Sequence, residues 1–313
     1  MKSGIKIIFM GTPDFAVPAL KALHKNNNDL ALVITQPDRP KGRGRKITPP
    51  PVKTTALKLG YDVVQPVSIK TGEFENLLKR QKPDMIIVVA FGHILSKNIL
   101  KIPKLATINV HASILPKYRG SAPIQWAVIN GEKETGVTTM LMDEGMDTGD
   151  ILLSSKTEIT LNDTAGSLHD RLADLGADLL IQTLKTIETK GLNPAPQDHA
   201  RATYAPLLKK KDGHLNWQMP AASLDTFIRG MTPWPGAFTF HMDKRLKIFK
   251  AGPIPMEVDE LPGTVIKSFP DELRVSTGRG ALSILEIQGA SGKRLLTKDF
   301  LRGYNIVPGD VLT

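Results

Sequence analysis

The sequence contains no cysteine, few aromatic residues and no long hydrophobic run. Phe, Trp and Tyr together make up 5% of its 313 residues. Without cysteine the chain has neither disulfides nor thiolate metal sites, which fits a reducing compartment. The longest apolar run, residues 85–91, is too short to cross a bilayer, and the N-terminal apolar stretch is too short for a signal peptide. We therefore expect a cytoplasmic protein without a membrane partner.

Acidic residues are also fewer than basic ones. The chain has 41 Lys and Arg against 31 Asp and Glu, a formal net charge of +10. Such a balance favours a polyanionic partner, most often nucleic acid. Many basic proteins bind no nucleic acid, so the charge alone does not decide this point.

Short apolar runs alternate with helical patterns up to about residue 192. This alternation predicts an α/β fold with a doubly wound, Rossmann-like, mainly parallel sheet. Strands are predicted over residues 5–10, 30–35, 85–90 and 105–111, and helices over residues 17–24, 52–59, 74–81, 94–100 and 164–189. Because such sheets bind ligands beyond the carboxyl ends of their strands, the loops near residues 11, 36, 91 and 113 should share one rim.

The character of the chain changes after residue 192. A turn-rich segment predicts a linker over residues 193–208, between a domain at 1–192 and a second domain at 209–313. In the second domain, short β-like segments separated by turn residues predict a small OB-like β-barrel. Its strands are predicted over residues 237–241, 245–251, 264–268, 273–276 and 281–288.

The stretch 107–120 is the most informative part of the sequence. A predicted strand ends on Asn109 and His111, whose side chains point to the same face because strands have a period of two. An amide beside an imidazole suits a developing oxyanion on a carbonyl under attack. The plainer interpretation is that His111 only satisfies a carbonyl at the strand end.

An acidic, glycine-containing loop follows at residues 142–150. It could be a cation site, since oxygen ligands cluster in such loops, but its spacing does not match an EF-hand. The alternative places Asp147 beside His111, where a carboxylate would hold the imidazole cationic and relay a proton.

The loop after the first strand, Gly11-Thr12-Pro13-Asp14, stands where a dinucleotide fingerprint would lie. It lacks the second and third glycines of that motif. We therefore expect no nicotinamide or flavin cofactor.

Taken together, these motifs resemble the 10-formyltetrahydrofolate-dependent formyltransferases. The resemblance extends over nearly the whole chain, and no catalytic residue of the pattern is missing. It rests on Asn109-x-His111, on residues 113–120 (Ser-Ile-Leu-Pro-Lys-Tyr-Arg-Gly), on Asp147-Thr148-Gly149-Asp150, and on the further matches at 9–15, 35–40, 42–44 and Trp234-Pro235-Gly236.

The resemblance implies transfer of a formyl group from N10 of 10-formyltetrahydrofolate, the co-substrate, to an amine. Asn109 and His111 would stabilise the tetrahedral species, and Asp147 would orient His111 and assist proton movement. No metal is needed. The folate site implied by the family consists of Ser113, Ile114, Leu115, Pro116, Phe91, Gly92, Ile94 and Leu95. For Ile94 and Leu95, a plain core role is an equal alternative.

A basic loop spans residues 36–51 and would lie on the same rim. In the family this position contacts tRNA, so the resemblance assigns Arg39, Lys41, Arg43, Arg45 and Lys46 to tRNA binding, with Arg43 as the leading contact. The resemblance then implies that the amine is the α-amino group of methionine on initiator tRNA and that the reaction would support translation initiation. We expect a monomer in which the second domain helps to hold the tRNA.

Two other functions remain open from the sequence. One is formyl transfer to a small amine, such as a glycinamide ribonucleotide or an amino-sugar nucleotide; the basic loop favours tRNA instead. The other is a non-catalytic RNA-binding protein, which would leave Asn109, His111 and Asp147 without a role.

Overall fold

The computed structural model describes residues 4–42, 44, 46–268, 270–290 and 292–313. Contacts divide the chain into two compact units whose segments alternate along the sequence. Unit 1 consists of Met1–Gly120, Glu134–Glu158 and His169–Ala205, and unit 2 of Ser121–Lys133, Ile159–Leu168 and Pro206–Thr313. The domain boundaries near residues 192 and 208 stay a prediction, because contacts report packing rather than independent folding.

Every strand and helix predicted before residue 192 is present. The elements of this part are, in chain order, β1 Lys6–Gly11, α1 Val17–Lys25, β2 Asp29–Ile34, β3 Arg39–Lys41, β4 Lys46–Thr48, α2 Pro51–Lys58, β5 Val63–Val64, α3 Gly72–Gln81, β6 Met85–Val89, α4 Lys97–Leu100, β7 Ala106–His111, α5 Pro123–Ile129, β8 Glu134–Leu141, β9 Ile151–Glu158 and α6 Ala165–Lys190. Among the predicted elements the main difference is α4, which begins after Ser96 because that side chain caps the helix by accepting from the N–H of Ile99. The elements β3, β4, β5, α5, β8 and β9 were not predicted.

Seven strands of unit 1 form one sheet in the order β5-β2-β1-β6-β7-β8-β9. The pairs from β5 to β7 are parallel, and β8 and β9 add to the edge in antiparallel orientation. All five residues of the central strand β6 are buried, as expected for a parallel strand covered on both faces. The sheet is therefore mainly parallel, as predicted.

Helices cover both faces of this sheet. On one face, Ile8, Ile86 and Val88 belong to a core cluster with Phe74 and Leu78 of α3. On the other face lies α6, since a Cβ on Gly176 would stand 3.1 Å from Cγ1 of Val110. Helices on both faces leave the ends of the strands at the edge of the fold, and open α/β sheets bind ligands beyond the carboxyl ends.

Three loops meet at that edge. The hydroxyl of Thr12 donates to the carbonyl oxygen of Phe91 at 3.1 Å, and Nε2 of Gln36 donates to the same oxygen at 2.9 Å. The loops after β1, β2 and β6 therefore share one rim, and β7 ends beside β6.

Unit 2 is built around an antiparallel sheet. Its further elements are α7 Ala221–Met231, β10 Ala237–His241, β11 Lys244–Ile254, β12 Val265–Lys267, β13 Leu273–Ser276, β14 Ala281–Gln288, β15 Leu295–Leu296 and α8 Thr297–Leu301. The five strands predicted here are all present. Across the described ranges of both units, no helix combines the length and apolar composition that a membrane span needs.

The sheet of unit 2 curls until its two edges approach each other. Its order is β10-β11-β14-β13-β12, with β15 paired to β14. The last residues of the chain bond both edges: Thr313 exchanges hydrogen bonds with Phe240 of β10, and the N–H of Leu312 donates to the carbonyl of Gly263, just before β12. The result is a small barrel-like domain, consistent with the predicted OB-like architecture.

Helix α7 was not predicted from the sequence. Leu224, Ile228 and Met231 form a helical stripe that is buried in the core of unit 2. Helix α5 joins the same core, where the hydroxyl of Thr226 donates to the carbonyl of Ile129 at 2.9 Å. The apolar spacing of α7 was present in the sequence, but the surrounding β-like segments obscured it.

Candidate active site

Strand β7 carries Asn109 and His111 on one face of the sheet. Both pair with the antiparallel strand β8, and side chains two residues apart on a strand share a face. Val110 between them points to the opposite face, against α6 at Gly176. Asn109 and His111 therefore lie on the face away from α6, at the rim.

The imidazole of His111 is buried and has two polar neighbours. Its Nε2 donates to the carbonyl oxygen of Tyr118 at 3.0 Å, and its Nδ1 lies 3.6 Å from Oδ2 of Asp147. Because a carbonyl oxygen only accepts, Nε2 carries the hydrogen, so Nδ1 of the neutral ring has a free lone pair. His111 thus satisfies a carbonyl through Nε2 and turns Nδ1 toward a carboxylate.

Asp147 is fixed by the loop that it faces. Its Oδ2 accepts the backbone N–H of Gly120 at 2.8 Å, and its own φ of 54° lies in the left-handed region. For a residue other than glycine this conformation is strained and persists where surrounding contacts determine it. The structure therefore brings Asp147 and His111 together, with Asn109 on the same strand face.

The rest of the acidic loop, residues 142–150, folds on itself. The hydroxyl of Thr148 donates to the carboxylate of Asp143 at 2.7 and 2.8 Å. Glu144 forms an exposed ion pair with a lysine of α4. Within the described ranges, no three His, Cys, Asp or Glu residues are grouped so that they could hold a metal ion. Asp147 is the carboxylate of this loop that faces the imidazole.

The loop after β7 is held by hydrogen bonds to its neighbouring strand. Oγ1 of Thr138 donates to the carbonyl of Ser113 at 2.7 Å and accepts from the N–H of Leu115 at 3.3 Å. The hydroxyl of Ser113 donates to the carbonyl of Lys117 at 2.6 Å. The loop backbone is thus fixed on both sides of its predicted folate-binding residues.

Residues 195–205, which we term the strap, lie along the other side of this loop. Ala195 forms a β-bridge with Ile151, and Tyr204 forms one with Arg119. At Gly120, where φ is 120°, a Cβ would stand 2.7 Å from the carbonyl oxygen of Ala205. Sequence reasoning assigned this segment to a linker and missed its contacts with the site, because its turn-rich composition carries no pattern of burial.

Two further buried side chains were also missed by the sequence reasoning, Arg119 and Gln197, which are 2% and 5% exposed. Nε and Nη2 of Arg119 donate to Oε1 of Gln197 at 3.2 and 2.7 Å, and Nη2 also donates to Nδ1 of His199 at 2.9 Å. Nε2 of Gln197 donates to the carbonyls of Asp147 at 2.9 Å and Gly149 at 2.6 Å. The position of Arg119 in the 113–120 motif was a usable signal; Gln197 offered none.

The predicted folate-binding residues differ in exposure. Those with surface to offer a ligand are Gly92, Ile94, Ile114 and Pro116. Those that are buried are Phe91, Leu95, Ser113 and Leu115. Leu95 and Phe91 belong to the core cluster beneath the rim, whereas Ile94 is 75% exposed.

The basic loop contains a short antiparallel hairpin formed by β3 and β4. Lys41 pairs with Lys46 through the backbone, and the side chains of Arg39 and Lys46 are exposed. Arg43 and Arg45 lie outside the described residues. The loop thus presents at least two cations at the rim.

Asp38 fixes the base of this hairpin. Its carboxylate accepts two hydrogen bonds of 2.8 Å from Nζ of Lys53 and one of 2.7 Å from Nε2 of Gln65. These bonds, the one from Lys53 first, hold the pKa of Asp38 below its usual value. Burial lowers the pKa of nearby His93, and the charge of Arg39 lowers it further.

Comparison with known proteins matches both parts of the chain to one family. The model described as "Formyl transferase" matches residues 5–184, and that described as "Formyl transferase, C-terminal domain" matches residues 207–305. The methionyl-tRNA formyltransferase of Caldanaerobacter subterraneus subsp. tengcongensis is 50% identical over 309 residues, 98% of this chain and 100% of that protein.

Solved structures share the fold at lower identity. An N-formyltransferase from Helicobacter canadensis, in complex with folinic acid and dTDP-3-aminofucose, has a TM-score of 0.68 and 21% identity over 93% of this chain and 100% of that one. A HypX variant from Aquifex aeolicus has a TM-score of 0.65 and 18% identity over 98% of this chain. This chain spans 49% of that HypX chain. On the family match and the 50% identity, this chain belongs to the formyl transferase family.

Proposed function

We propose that this chain is a methionyl-tRNA formyltransferase. It transfers the formyl group of 10-formyltetrahydrofolate to the α-amino group of methionine on initiator tRNA, which supports translation initiation. The observation that carries the proposal is the pairing of the buried His111 with the half-buried Asp147 beside Asn109, in a chain 50% identical to a relative with that name. An amide, an imidazole and a carboxylate at one rim suit acyl transfer to an amine.

Asn109 provides a donor for the developing oxyanion. As the amine attacks the formyl carbon, negative charge builds on the formyl oxygen. Within the described part of the chain, the side-chain amide of Asn109 has no hydrogen-bond partner, so its N–H group is available to that oxygen. Removing one such donor typically lowers the rate by roughly a hundred- to a thousandfold.

His111 and Asp147 assist the transfer of a proton from the attacking amine to N10 of the folate. The new bond joins the amine nitrogen to the formyl carbon, the bond from that carbon to N10 breaks, and one proton passes from the amine to N10. Nδ1 of His111 carries the free lone pair and faces the Asp147 carboxylate, so it accepts the proton and is stabilised as a cation. The protonated Nδ1 is then a second donor for the oxyanion, and it returns the proton to the departing N10.

10-Formyltetrahydrofolate supplies the activated formyl group when it binds. The side chain of Ile94 and the backbone around Gly92 offer exposed apolar and polar surface at the rim. Ile114 and Pro116 add half-buried surface beside β7. These residues fit a flat, partly apolar pterin-type ligand, and the buried Phe91, Leu95, Ser113 and Leu115 would support them from beneath.

The basic hairpin would bind the tRNA. The cations Arg39 and Lys46 are exposed, and Lys41, Arg43 and Arg45 add to the positive charge of the same sequence segment. Phosphate contacts from such residues give salt-dependent affinity and position the substrate. The hydrogen bonds of Asp38 to Lys53 and Gln65, which we term the clamp at Asp38, would hold the base of the hairpin in place.

The second domain would extend the tRNA-binding surface. Three exposed lysines, Lys244, Lys247 and Lys250, recur along β11 of unit 2. Their positive charge suits contact with the phosphates of a nucleic-acid backbone. In this proposal the domain at 209–313 binds tRNA while the domain at 1–192 carries out the transfer, and the protein acts as a cytoplasmic monomer.

The proposal is tested by measuring formyl transfer from 10-formyltetrahydrofolate to aminoacylated tRNA. Initiator and elongator methionyl-tRNA are compared, with the wild type beside His111→Ala and Arg43→Ala. We expect transfer that is selective for initiator tRNA. His111→Ala should nearly abolish it, and Arg43→Ala should mainly raise the KM for tRNA.

An amino-sugar nucleotide serves as the competing substrate in the same assay. Transfer to that nucleotide, with none to any tRNA, would support the proposed active site but contradict tRNA as the substrate. Sedimentation of the purified protein checks the monomer, and a stable dimer would contradict it.

A further inference from the structure

The strap joins two loops that each hold one half of the catalytic pair. One loop carries Tyr118 and Gly120. The carbonyl of Tyr118 accepts a hydrogen bond from His111, and the N–H of Gly120 donates to Asp147. The other loop carries Asp147 itself. The residue between Tyr118 and Gly120 is Arg119, whose side chain is buried under the strap.

Gln197 of the strap contacts both loops through opposite ends of one amide. Its oxygen accepts two hydrogen bonds from the guanidinium of Arg119, the shorter at 2.7 Å. Its nitrogen donates to the carbonyls of Asp147 at 2.9 Å and Gly149 at 2.6 Å. A glutamine amide has one accepting and one donating end, so only this orientation satisfies both loops.

Thr203 and Ala205 of the strap also bond to the backbone of the loop at Ser113–Gly120. The N–H of Arg119 donates to the carbonyl of Thr203 at 2.8 Å, and the N–H of Ala205 donates to the carbonyl of Arg119 at 2.7 Å. The hydroxyl of Thr203 accepts the N–H of Tyr118 at 2.9 Å. These hydrogen bonds fix the backbone of Tyr118 and Arg119 against the strap. From this position the guanidinium of Arg119 reaches the side chain of Gln197.

We propose that Arg119 and Gln197 are positioning residues that set the distance between His111 and Asp147. This inference rests on the function proposed above. The separation of Nδ1 and Oδ2, 3.6 Å, is longer than a hydrogen bond, so the pair does not fix its own geometry. The left-handed backbone of Asp147 also requires external support, which the bond from Gln197 to its carbonyl supplies.

The test compares Gln197→Leu and Gln197→Glu with the wild type. Leucine removes all the bonds; glutamate keeps an acceptor for Arg119 but has no donor for the carbonyls of Asp147 and Gly149. We expect both variants to lower kcat by about a hundredfold with little change in KM, because misplacement by about 1 Å can cost that much.

Thr183→Val is the matched control. Thr183 lies on α6, is buried, and shares a hydrogen bond of 2.8 Å with Thr139, so the variant also loses a buried hydrogen bond in unit 1. Thr183→Val should lower the melting temperature about as much as Gln197→Leu does, and it should leave kcat unchanged. If Thr183→Val lowers kcat as much as Gln197→Leu does, Gln197 acts only through stability and the proposal is wrong.

A double variant tests whether the two residues act together. Arg119→Leu with Gln197→Leu should lower kcat no further than either single change, as expected for residues that act as a unit. Additive losses would contradict the proposal.

Amide exchange at Gly120 gives a readout that is independent of the substrate. Gln197→Leu should release Asp147, so the Gly120 N–H should exchange faster than in the wild type, while Thr183→Val should leave it unchanged. If the wild type formylates no tRNA, the proposed function fails, but this exchange comparison still judges the role of Gln197. Unchanged exchange at Gly120 in Gln197→Leu would overturn that role.

Discussion

The loop at Ser113–Gly120 and the hairpin of β3 and β4 lie in the same unit but are held in different ways. The first is fixed along its length by Thr138 on one side and the strap on the other. The second presents exposed side chains at Arg39 and Lys46 and is fixed at its base by the hydrogen bonds of Asp38. Chemistry requires atoms held to fractions of an ångström, whereas phosphate recognition tolerates movement.

This difference predicts two classes of variant. Changes along the Ser113–Gly120 loop and its partners should lower kcat, because they move the reacting groups. Changes in the hairpin should alter affinity for tRNA and its salt dependence while the chemical step is preserved. The following predictions test this division, from the largest expected effect to the smallest.

Asp147→Asn should have the largest effect. It removes the charge that faces Nδ1 of His111, so kcat should fall roughly a hundred- to a thousandfold with a small change in stability. Single-turnover formyl transfer measures the chemical step directly. Asp143→Asn, in the same loop, is the control, since its carboxylate bonds Thr148; an equal loss in that variant would contradict a specific role for Asp147.

Gly120→Ala should have the second-largest effect on kcat. A Cβ there would stand 2.7 Å from the carbonyl of Ala205 at a φ of 120°, so the loop must move away from the strap. We expect a loss of about 1–3 kcal/mol in the free energy of unfolding, and a fall in kcat approaching a hundredfold. Gly60→Ala is the matched control: its φ is 80° but nothing lies within 4 Å, so stability alone should fall.

Lys46→Gln should weaken tRNA binding and leave kcat unchanged. If the side chain contacts a phosphate, the slope of log affinity against log salt should decrease by about one. Filter binding over a range of salt concentrations measures this slope. Lys58→Gln, an exposed lysine of α2, should leave the slope at the wild-type value; equal slopes for Lys46→Gln and wild type would remove the hairpin from the interface.

Asp38→Asn should have the smallest effect, visible mainly as a change in pH dependence. Bonds from Lys53 and Gln65 lower the pKa of Asp38 in the folded state. The clamp therefore contributes stability that is present above the unfolded pKa, about 3.9, and is lost as the pH falls through the lower folded pKa. Urea unfolding between pH 6 and pH 3 should show a shallower decline in the variant than in the wild type; parallel declines would show that the clamp does not stabilise the fold.

Local patterns in the sequence predicted most of the fold. The apolar runs of β1, β2, β6 and β7 are continuous because these strands are buried on both faces, and the stripe of α6 repeats at helical spacing. The grouping of Asn109 with His111 also followed from a period of two. In each case the pattern reflects burial that a short window of sequence contains.

The contacts that complete the site are not local. Arg119 and Gln197 are 78 positions apart, and each satisfies the other only in the folded chain. The motif around Arg119 draws attention to that residue, but nothing at the position of Gln197 distinguishes a buried bond from a solvated surface. The hairpin of β3 and β4 lies in the segment expected to be a basic loop, because its strands pair through the backbone and carry no apolar pattern.

The position of the strap in the chain has a consequence for synthesis. A nascent chain that has reached the end of α6 already contains Asn109, His111 and Asp147 but lacks Gln197. Chains grow at about 5–20 residues per second and domains generally fold as units, and unit 1 is complete only when its last segment, His169–Ala205, has been made. On this order of events, the proposed catalytic pair, His111 and Asp147, acquires its final geometry only after residue 205 has left the ribosome.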